Sequence, residues 1–337
     1  MKRILFFLVC LALLGCIIGS VGLSVEATQT IIFDFPSITG FQGDTHKYFA
    51  NLIDQKTNGR IKLILYPSGE LGTQIEMMQA IQLGTLKMKM GNPGNLFSLC
   101  SDFGAFDAPF LYRDAKHAIQ AVNPDTSEVM KEIADKFIKE SGVRVLGAGA
   151  WLGFRALTTK DFPVYKPEDL KGKKIRVMAN KSHITILEGM GAIATAIDTS
   201  ELPTSLMLGV VDGQDNPVIN IYDYKYGPPL QYYLMKTNHV ASIQILIINE
   251  KVWQGLTPED QIVFKEAMNE TAEWSVEELD RRENEVYKKL EDLGMNIISE
   301  EDGLDLEAFR SKTVDHFNET FPEWTDYINR IKKIGEI

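Results

Sequence analysis

The chain has 337 residues, too many for one average domain and suited to two lobes or one large α/β unit. Hydrophobic residues make up 45% and charged residues 24%, an ordinary globular balance with no disordered tail. A formal net charge of −11 argues against nucleic acid and anionic lipid surfaces as partners, although a cationic pocket can sit inside an acidic surface.

Lys2 and Arg3 open the chain, and an apolar run follows from Ile4 to Leu14. It continues to Leu23, interrupted by Gly15, Gly19 and Gly22. Val25-Glu26-Ala27 then fits the small-x-small pattern of a signal peptidase site, so residues 1–27 read as a secretory signal peptide. A transmembrane anchor competes with this reading, but the glycines break the run and no second apolar stretch follows. Leu13-Leu14-Gly15-Cys16 also resembles a lipobox, which would leave a lipid-anchored Cys16. The apolar residues from Ile17 to Leu23 argue against it, because lipoprotein tethers are polar. Cleavage after Ala27 removes Lys2, Arg3 and Glu26 and takes the net charge from −11 to −12. Cys10 and Cys16 lie in the signal region. Cys100 then remains, and one thiol builds no internal disulfide, zinc site or CxxC pair. It is expected to be a small buried residue.

Gln29 to Phe35 alternates as a strand, and Asp44 to Lys56 reads as a helix ended by Asn58-Gly59. Ile61 to Tyr66 is a strand closed by Pro67-Ser68-Gly69. Gln74 to Leu83 is a helix with Met77, Met78 and Ile81 on one stripe, and Leu86 to Met90 is a strand after Gly84. This is βαβαβ, a sheet with helices on its faces. Helices near Ala115 to Ala121 and Ser127 to Glu140 precede strands at Val143 to Ala148 and Phe154 to Thr158. A second alternating series begins with a strand at Lys174 to Val177 and a helix to Met190. It continues with a strand around Ala192 to Ile197, a helix from Glu201 and a short apolar step at Val210-Val211. Val240 to Asn249 is a long apolar strand returning to the first lobe. Thr257-Pro258-Glu259-Asp260 then starts a helix with an N-cap, a first-turn proline and acidic residues. Neither Gly nor Pro recurs before Gly294, so this helix either kinks near Glu273 or runs along both lobes as a brace. Shorter helices near Leu306 to Phe317 and Trp324 to Ile334 end the chain.

Several motifs fail on inspection. Val143 to Gly153 has the strand and the paired glycines of a dinucleotide fingerprint. Its sixth position is Leu152, however, and a strand-like run follows where a helix N-terminus is required. HExxH, GxSxG and Walker A motifs are absent. His46, His117, His183, His239 and His316 stand apart from one another and from ligand-spaced carboxylates, so no metal and no cofactor is expected. Two sequons, at Asn269 and Asn318, fall in helices and read as chance. What stands out is cationic chemistry inside apolar strands, at Arg155 and Arg176. A buried arginine needs an anionic partner, either an internal Asp or Glu or a ligand carboxylate bound by the guanidinium fork. Asp212-Gly213-Gln214-Asp215-Asn216-Pro217 reads as a polar loop after a short strand, and Trp151 and Phe154 could wall a pocket or belong to the core.

The order of these pieces resembles the substrate-binding proteins of TRAP (tripartite ATP-independent periplasmic) transporters, the DctP-like family, over essentially the whole mature chain. The matching stretches are Lys62 to Gly72 (KLILYPSGELG), Gln82 to Leu86 (QLGTL), Gly153-Phe154-Arg155 with Thr158-Thr159, and Pro167 to Val177 (PEDLKGKKIRV). Glu201, Val211 to Pro217 (VDGQDNP) and Thr237-Asn238-His239 complete the set. The resemblance implies a two-lobed periplasmic-binding-protein fold of class α/β, braced by a long helix. Lobe I would take residues 28–152 and 242–281, and lobe II residues 153–241 and 282–337. It further implies that Arg176 clamps a ligand carboxylate, Arg155 assists and Asn216 hydrogen-bonds the ligand, with Phe35, Gln74, Asn92, Trp151 and Thr199 at further cleft positions. Asn92 and Phe35 depart from the sialic-acid-binding members. They point away from a polyhydroxylated sugar acid, and Phe35 with Trp151 towards a more compact one. A C4-dicarboxylate or another carboxylate is the implied ligand, TRAP membrane permease subunits are the implied partners, and a periplasmic monomer without catalytic activity is expected. A ligand-sensing partner for a membrane receptor and an exported enzyme on the same fold remain alternatives.

Overall fold

The computed structural model describes residues 30–67 and 70–335. The signal segment, its cleavage site and the lipobox lie outside these residues. The chain begins β1 (Ile31–Pro36), α1 (Gly40–Lys56), β2 (Ile61–Tyr66), α2 (Gln74–Leu83), β3 (Met88–Gly91). β1 and β2 pair in parallel, with Ile31 opposite Ile61. Period-two alternation buries Phe33 and Phe35 and exposes Ile32 and Asp34. Phe49 and Ile53 of α1 pack onto that face and join Met88, Met90 and Phe264 in one apolar core. α2 starts at Thr73 with a reciprocal capping box to Glu76 and ends at Gly84, whose φ of 74° is left-handed.

After α3 (Ala115–Ala121) and α4 (Glu128–Ser141), the chain enters β4 (Val143–Thr159). The sequence suggests two strands here, and the structure has one, 17 residues long. Its register slips between Val145 and Gly147, between Ala148 and Ala150, and between Trp151 and Phe154. Such bulges bend a strand, and Gly153 at φ 89° takes a conformation that a side chain would strain. The first part of β4 pairs antiparallel with β9 (Ala241–Asn249), and the last part with β7 (Gly213–Pro217) and β8 (Tyr233–Met235). One strand thus serves two sheet arms. On one side β9 also pairs with β3. On the other, β7 leads to β5 (Lys174–Val177) and β6 (Ile193–Ala196), both parallel, and β8 to β10 (Asn296–Ile298). α5 (Lys181–Gly189) and α6 (Leu202–Met207) follow β5 and β6, and α7 (Val218–Asp223) follows β7.

The Asp212–Pro217 stretch, expected as a loop, is mostly strand: β7 is buried along its whole length between β4 and β5. Polar side chains survive there because they satisfy one another. Gln214 Nε2 donates to Thr158 Oγ1 at 2.7 Å, and Asn216 Nδ2 donates to Gln214 Oε1.

α8 (Glu250–Gln254) leads into α9 (Pro258–Asp292), then α10 (Leu306–Thr320) and α11 (Thr325–Lys332). Thr257 caps α9 by accepting from the Asp260 N–H. The helix passes Glu273 unbroken for 35 residues, about 52 Å at 1.5 Å per residue, so the brace is what forms. Phe264 and Met268 enter the core under β1, and Leu279, Val286 and Leu290 enter the larger core of the other arm. Between them lie the small residues Thr271, Ala272 and Ser275, all buried. There Ser275 Oγ accepts the Trp151 N–H at 2.8 Å while donating to Ala272 O at 2.6 Å. Ser275→Ala would leave the amide of Trp151 buried and unpaired, a cost of about 1–3 kcal/mol. Urea denaturation of the ligand-free protein should show it, and an unchanged midpoint would remove this bond from the account of the brace.

Candidate functional site

A cavity of about 430 Å³ lies where the strands of both arms end. Met178, Ala179, Asn180 and Lys181 come to it from the end of β5, Asp198 and Thr199 from the end of β6, and Asn216 from β7. Gly91, Asn92 and Asn95 come from the end of β3. Ligand sites in α/β sheets form at the carboxyl ends of strands, where the loops are free of ladder constraints. A second cavity of about 610 Å³ adjoins it and shares Thr73, Gln74, Met90, Asp198, Thr199 and Tyr224.

Of the residues expected at a site, Arg176, Arg155, Asn216, Asn92, Gln74 and Thr199 all line the first cavity. Phe35 and Trp151 do not. Phe35 is fully buried, 5.4 Å from the His46 ring edge-on and 5.9 Å from Phe49. Trp151 packs edge-on against Phe154 at 5.2 Å, and its neighbour Leu152 supplies the wall instead. Neither aromatic therefore sets the size or polarity of the pocket.

The two arginines differ in their partners. Arg155 on β4 is 2% exposed and holds Asp215 twice, Nε to Oδ2 at 2.5 Å and Nη2 to the carbonyl at 2.5 Å. Asp215 Oδ2 also lies 3.3 Å from His239 Nε2, and Thr237 Oγ1 is 2.8 Å from the other ring nitrogen. Burial alone would raise the Asp215 carboxyl, but the Arg155 charge and the His239 hydrogen bond hold it well below the usual carboxylate range. Burial lowers His239 against the pull of Asp215. Arg155 thus has the internal acid that a buried arginine needs.

Arg176 on β5 is 1% exposed, and its partners are neutral: Nε donates to Ile197 O at 2.8 Å and Nη2 to Thr199 Oγ1 at 3.1 Å. Among the described residues no carboxylate lies within ion-pair distance of it. Burial pushes its guanidinium down to about 10, Asp215 pulls it up and Arg155 pushes it further down. A desolvated, unpaired guanidinium facing a cavity is a seat for an anion.

Sequence reading missed two further polar groups. Asn180 and Asn220 line the cavity, and Asn180 Nδ2 and Asn220 Oδ1 are buried without a protein partner. Asn180 also caps α5, its Oδ1 accepting from His183 N at 2.8 Å. Its sequence context therefore shows a helix start and conceals the free donor. Asn220 stands in the apolar run Val218-Ile219-Asn220-Ile221, where its polarity was the available signal. No group of His, Cys, Asp and Glu among the described residues is gathered as metal ligands.

Fold and site together define a protein of the two-lobed α/β class whose cavity is lined by a buried guanidinium without an ion-paired carboxylate among the described residues. Residues 37–321 match the bacterial extracellular solute-binding protein, family 7, and the chain belongs to that family, the solute-binding proteins of TRAP transporters. A solute-binding protein of Verminephrobacter eiseniae is 31% identical over 260 residues, 76% of this chain and 75% of the relative. A TRAP periplasmic solute-binding protein from Bordetella, whose ligand density is assigned to pantoate, superposes with a TM-score of 0.81 at 28% identity, covering 90% of this chain and 99% of the other. One from Polaromonas sp. JS666, bound to D-erythronate, gives 0.82 at 27% identity, covering 91% and 100%.

Replacing Asp215 by Asn should destabilise the ligand-free protein by about 3–5 kcal/mol, because the buried Arg155 charge loses its counter-ion. Chemical denaturation reads this, and a loss below about 1 kcal/mol would show that the pair is not structural. A second expectation concerns acid. His46, hydrogen-bonded to Gln244 Oε1 at 3.0 Å, is lowered by burial from 6.5 to about 4. A group whose folded pKa is depressed contributes stability above its unfolded pKa and loses it as pH falls. Stability should therefore drop between pH 6.5 and 4, by about 3 kcal/mol from this group. His46→Gln should flatten that part of the profile, and an equally steep profile in the variant would assign the drop elsewhere.

Proposed function

We propose that the protein binds a small organic acid anion, seats its carboxylate on Arg176, and hands the ligand to the membrane permease of a TRAP transporter. The single observation that carries this is the buried Arg176 guanidinium, which lines the cavity and, among the described residues, has no carboxylate within ion-pair distance. Pantoate and D-erythronate, named for the Bordetella and Polaromonas relatives, are both carboxylates, which supports the same class of ligand here. In this reading Arg155, already paired with Asp215, supplies positive potential and orientation, while Asn216, Asn180, Asn220, Asn92, Gln74 and Thr199 supply hydrogen bonds. Closure of the lobes excludes water and strengthens the ion pair by lowering the local dielectric.

Binding without turnover is the role in this reading, as membership of a family of solute-binding proteins supports. Lobe I would comprise residues 28–152 and 242–281 and lobe II residues 153–241 and 282–337, with export by cleavage after Ala27 and a monomer as the working form.

A thermal-shift screen against small organic acids tests the reading. Ligand at a thousandfold excess over Kd stabilises the folded state by about 4 kcal/mol. One acid class should raise the melting temperature by several degrees. Arg176→Lys keeps the charge and loses the planar fork, so affinity for that acid should fall about tenfold to a hundredfold. Binding by the variant as tight as by the wild type would remove Arg176 from the site.

A further inference from the structure

β3 carries a second buried cation. Lys89 is 1% exposed, and its position on the strand explains why: Met88 and Met90 enter the apolar core, and Lys89 takes the opposite face. That face borders the second cavity, whose wall it forms. The partner of its ammonium is neutral, Gln74 Oε1, which Asn95 Nδ2 also approaches at 3.3 Å. No carboxylate among the described residues is within ion-pair distance of Lys89. The acids that line the two cavities have donors of their own. Asp198 accepts from Ser200 N at 3.0 Å and Oγ at 2.9 Å, Glu76 from Thr73 N at 2.8 Å, and Asp223 from the Phe41 N–H at 2.6 Å.

We propose that Lys89 is the second anion subsite of this binding cleft, and that the protein selects acids carrying a second anionic group, carboxylate or phosphate, at the end remote from Arg176. The inference rests on Arg176 as the seat of the first carboxylate. Arg176 stands on the β4–β7–β5–β6 arm and Lys89 on the β3–β9–β4 arm, and the shared lining residues Gln74, Thr73 and Thr199 make the two cavities continuous. A ligand charged at both ends would join the two arms by an ion pair to each. A hydroxyl at the far end could be held by Gln74 or Asn95 alone. It would leave the desolvated ammonium without a counter-charge, which is costly in a buried position. Burial lowers the Lys89 ammonium to about 8, against the pull of Asp198, which fits a charge whose natural partner arrives with the ligand.

The test uses two matched pairs that differ in the second charge: succinate against its monoamide succinamate, and 4-phospho-D-erythronate against D-erythronate. Titration calorimetry measures each with the wild-type protein, with Lys89→Met and with Lys89→Gln. The expected result is that the dianion of at least one pair binds about tenfold to a hundredfold more tightly than its monoanion. The pair that shows this identifies carboxylate or phosphate as the second group. In Lys89→Met or Lys89→Gln that advantage should vanish while monoanion affinity stays within about threefold. Arg176→Lys, by contrast, should weaken all four ligands, which separates the two sites. Equal or tighter binding of both monoanions by the wild type would overturn the proposal, as would a dianion advantage that survives in both Lys89 variants. Failure of all four ligands to bind would overturn the Arg176 reading first, and this one with it.

Discussion

A guanidinium taken out of water without a counter-ion is the constraint around which this molecule is arranged. Arg176 is held by β5, between β6 and β7, and its remaining freedom is removed by neutral acceptors, Ile197 O and Thr199 Oγ1. The acids whose charge reaches it are Asp215, one strand away, and Asp198 on the cavity wall. Asp215 is committed to Arg155 on the far side of β7, with His239 completing its coordination. Asp198 lines the same cavity but stands beyond ion-pair distance, so of the two buried arginines Arg155 has a paired carboxylate and Arg176 has none. The cost of that charge falls on the protein, and in the proposed function a bound anion offsets it.

The two sides of the cleft are joined by shared elements. Three elements cross between them. β4 changes partners at the bulge around Gly153, from β9 to β7 and β8. β9 returns to pair with β3. α9 lies along both cores, and its small central residues let the strand come close enough for the Trp151–Ser275 hydrogen bond. Bulged strands bend more easily than regular ones, and a single long helix resists bending, so together they favour motion about one axis.

Much of this was legible in the sequence, because burial imposes periodicity. The 2.0 and 3.6 periods placed β1, α1, β2, α2, β5 and α9 within a few residues. Misreadings occurred where polar residues are buried. Gly213 to Pro217 looks like a turn by composition, yet it is an interior strand whose side chains satisfy one another across β4. Arg155 and Arg176 sit in similar apolar contexts, and only the fold shows that one has an acid and the other has none. Phe35 and Trp151 were inferred from resemblance, which transfers alignment position but not side-chain direction; both turn into the core. Lys89 was passed over because Leu86 to Met90 reads as strand, and a lysine on a strand is ordinarily taken to face water.

Many of the residues that line the cavity lie at the ends of strands, in the least periodic part of the chain. The strands and α9 fix the backbone so well that relatives at 27–28% identity superpose with TM-scores of 0.81 and 0.82. The loops at the strand ends carry no such constraint. Asn180 and Asn220 each keep a side-chain polar atom without a protein partner in the cavity wall, whereas Thr199 is tied to Arg176 and Asn92 to Ser242. Arg176 itself is held by its strand and its acceptors. In the proposed function, an anion seat on β5 combined with walls drawn from the strand-end loops would let one architecture hold carboxylates as different as the pantoate and D-erythronate of the relatives.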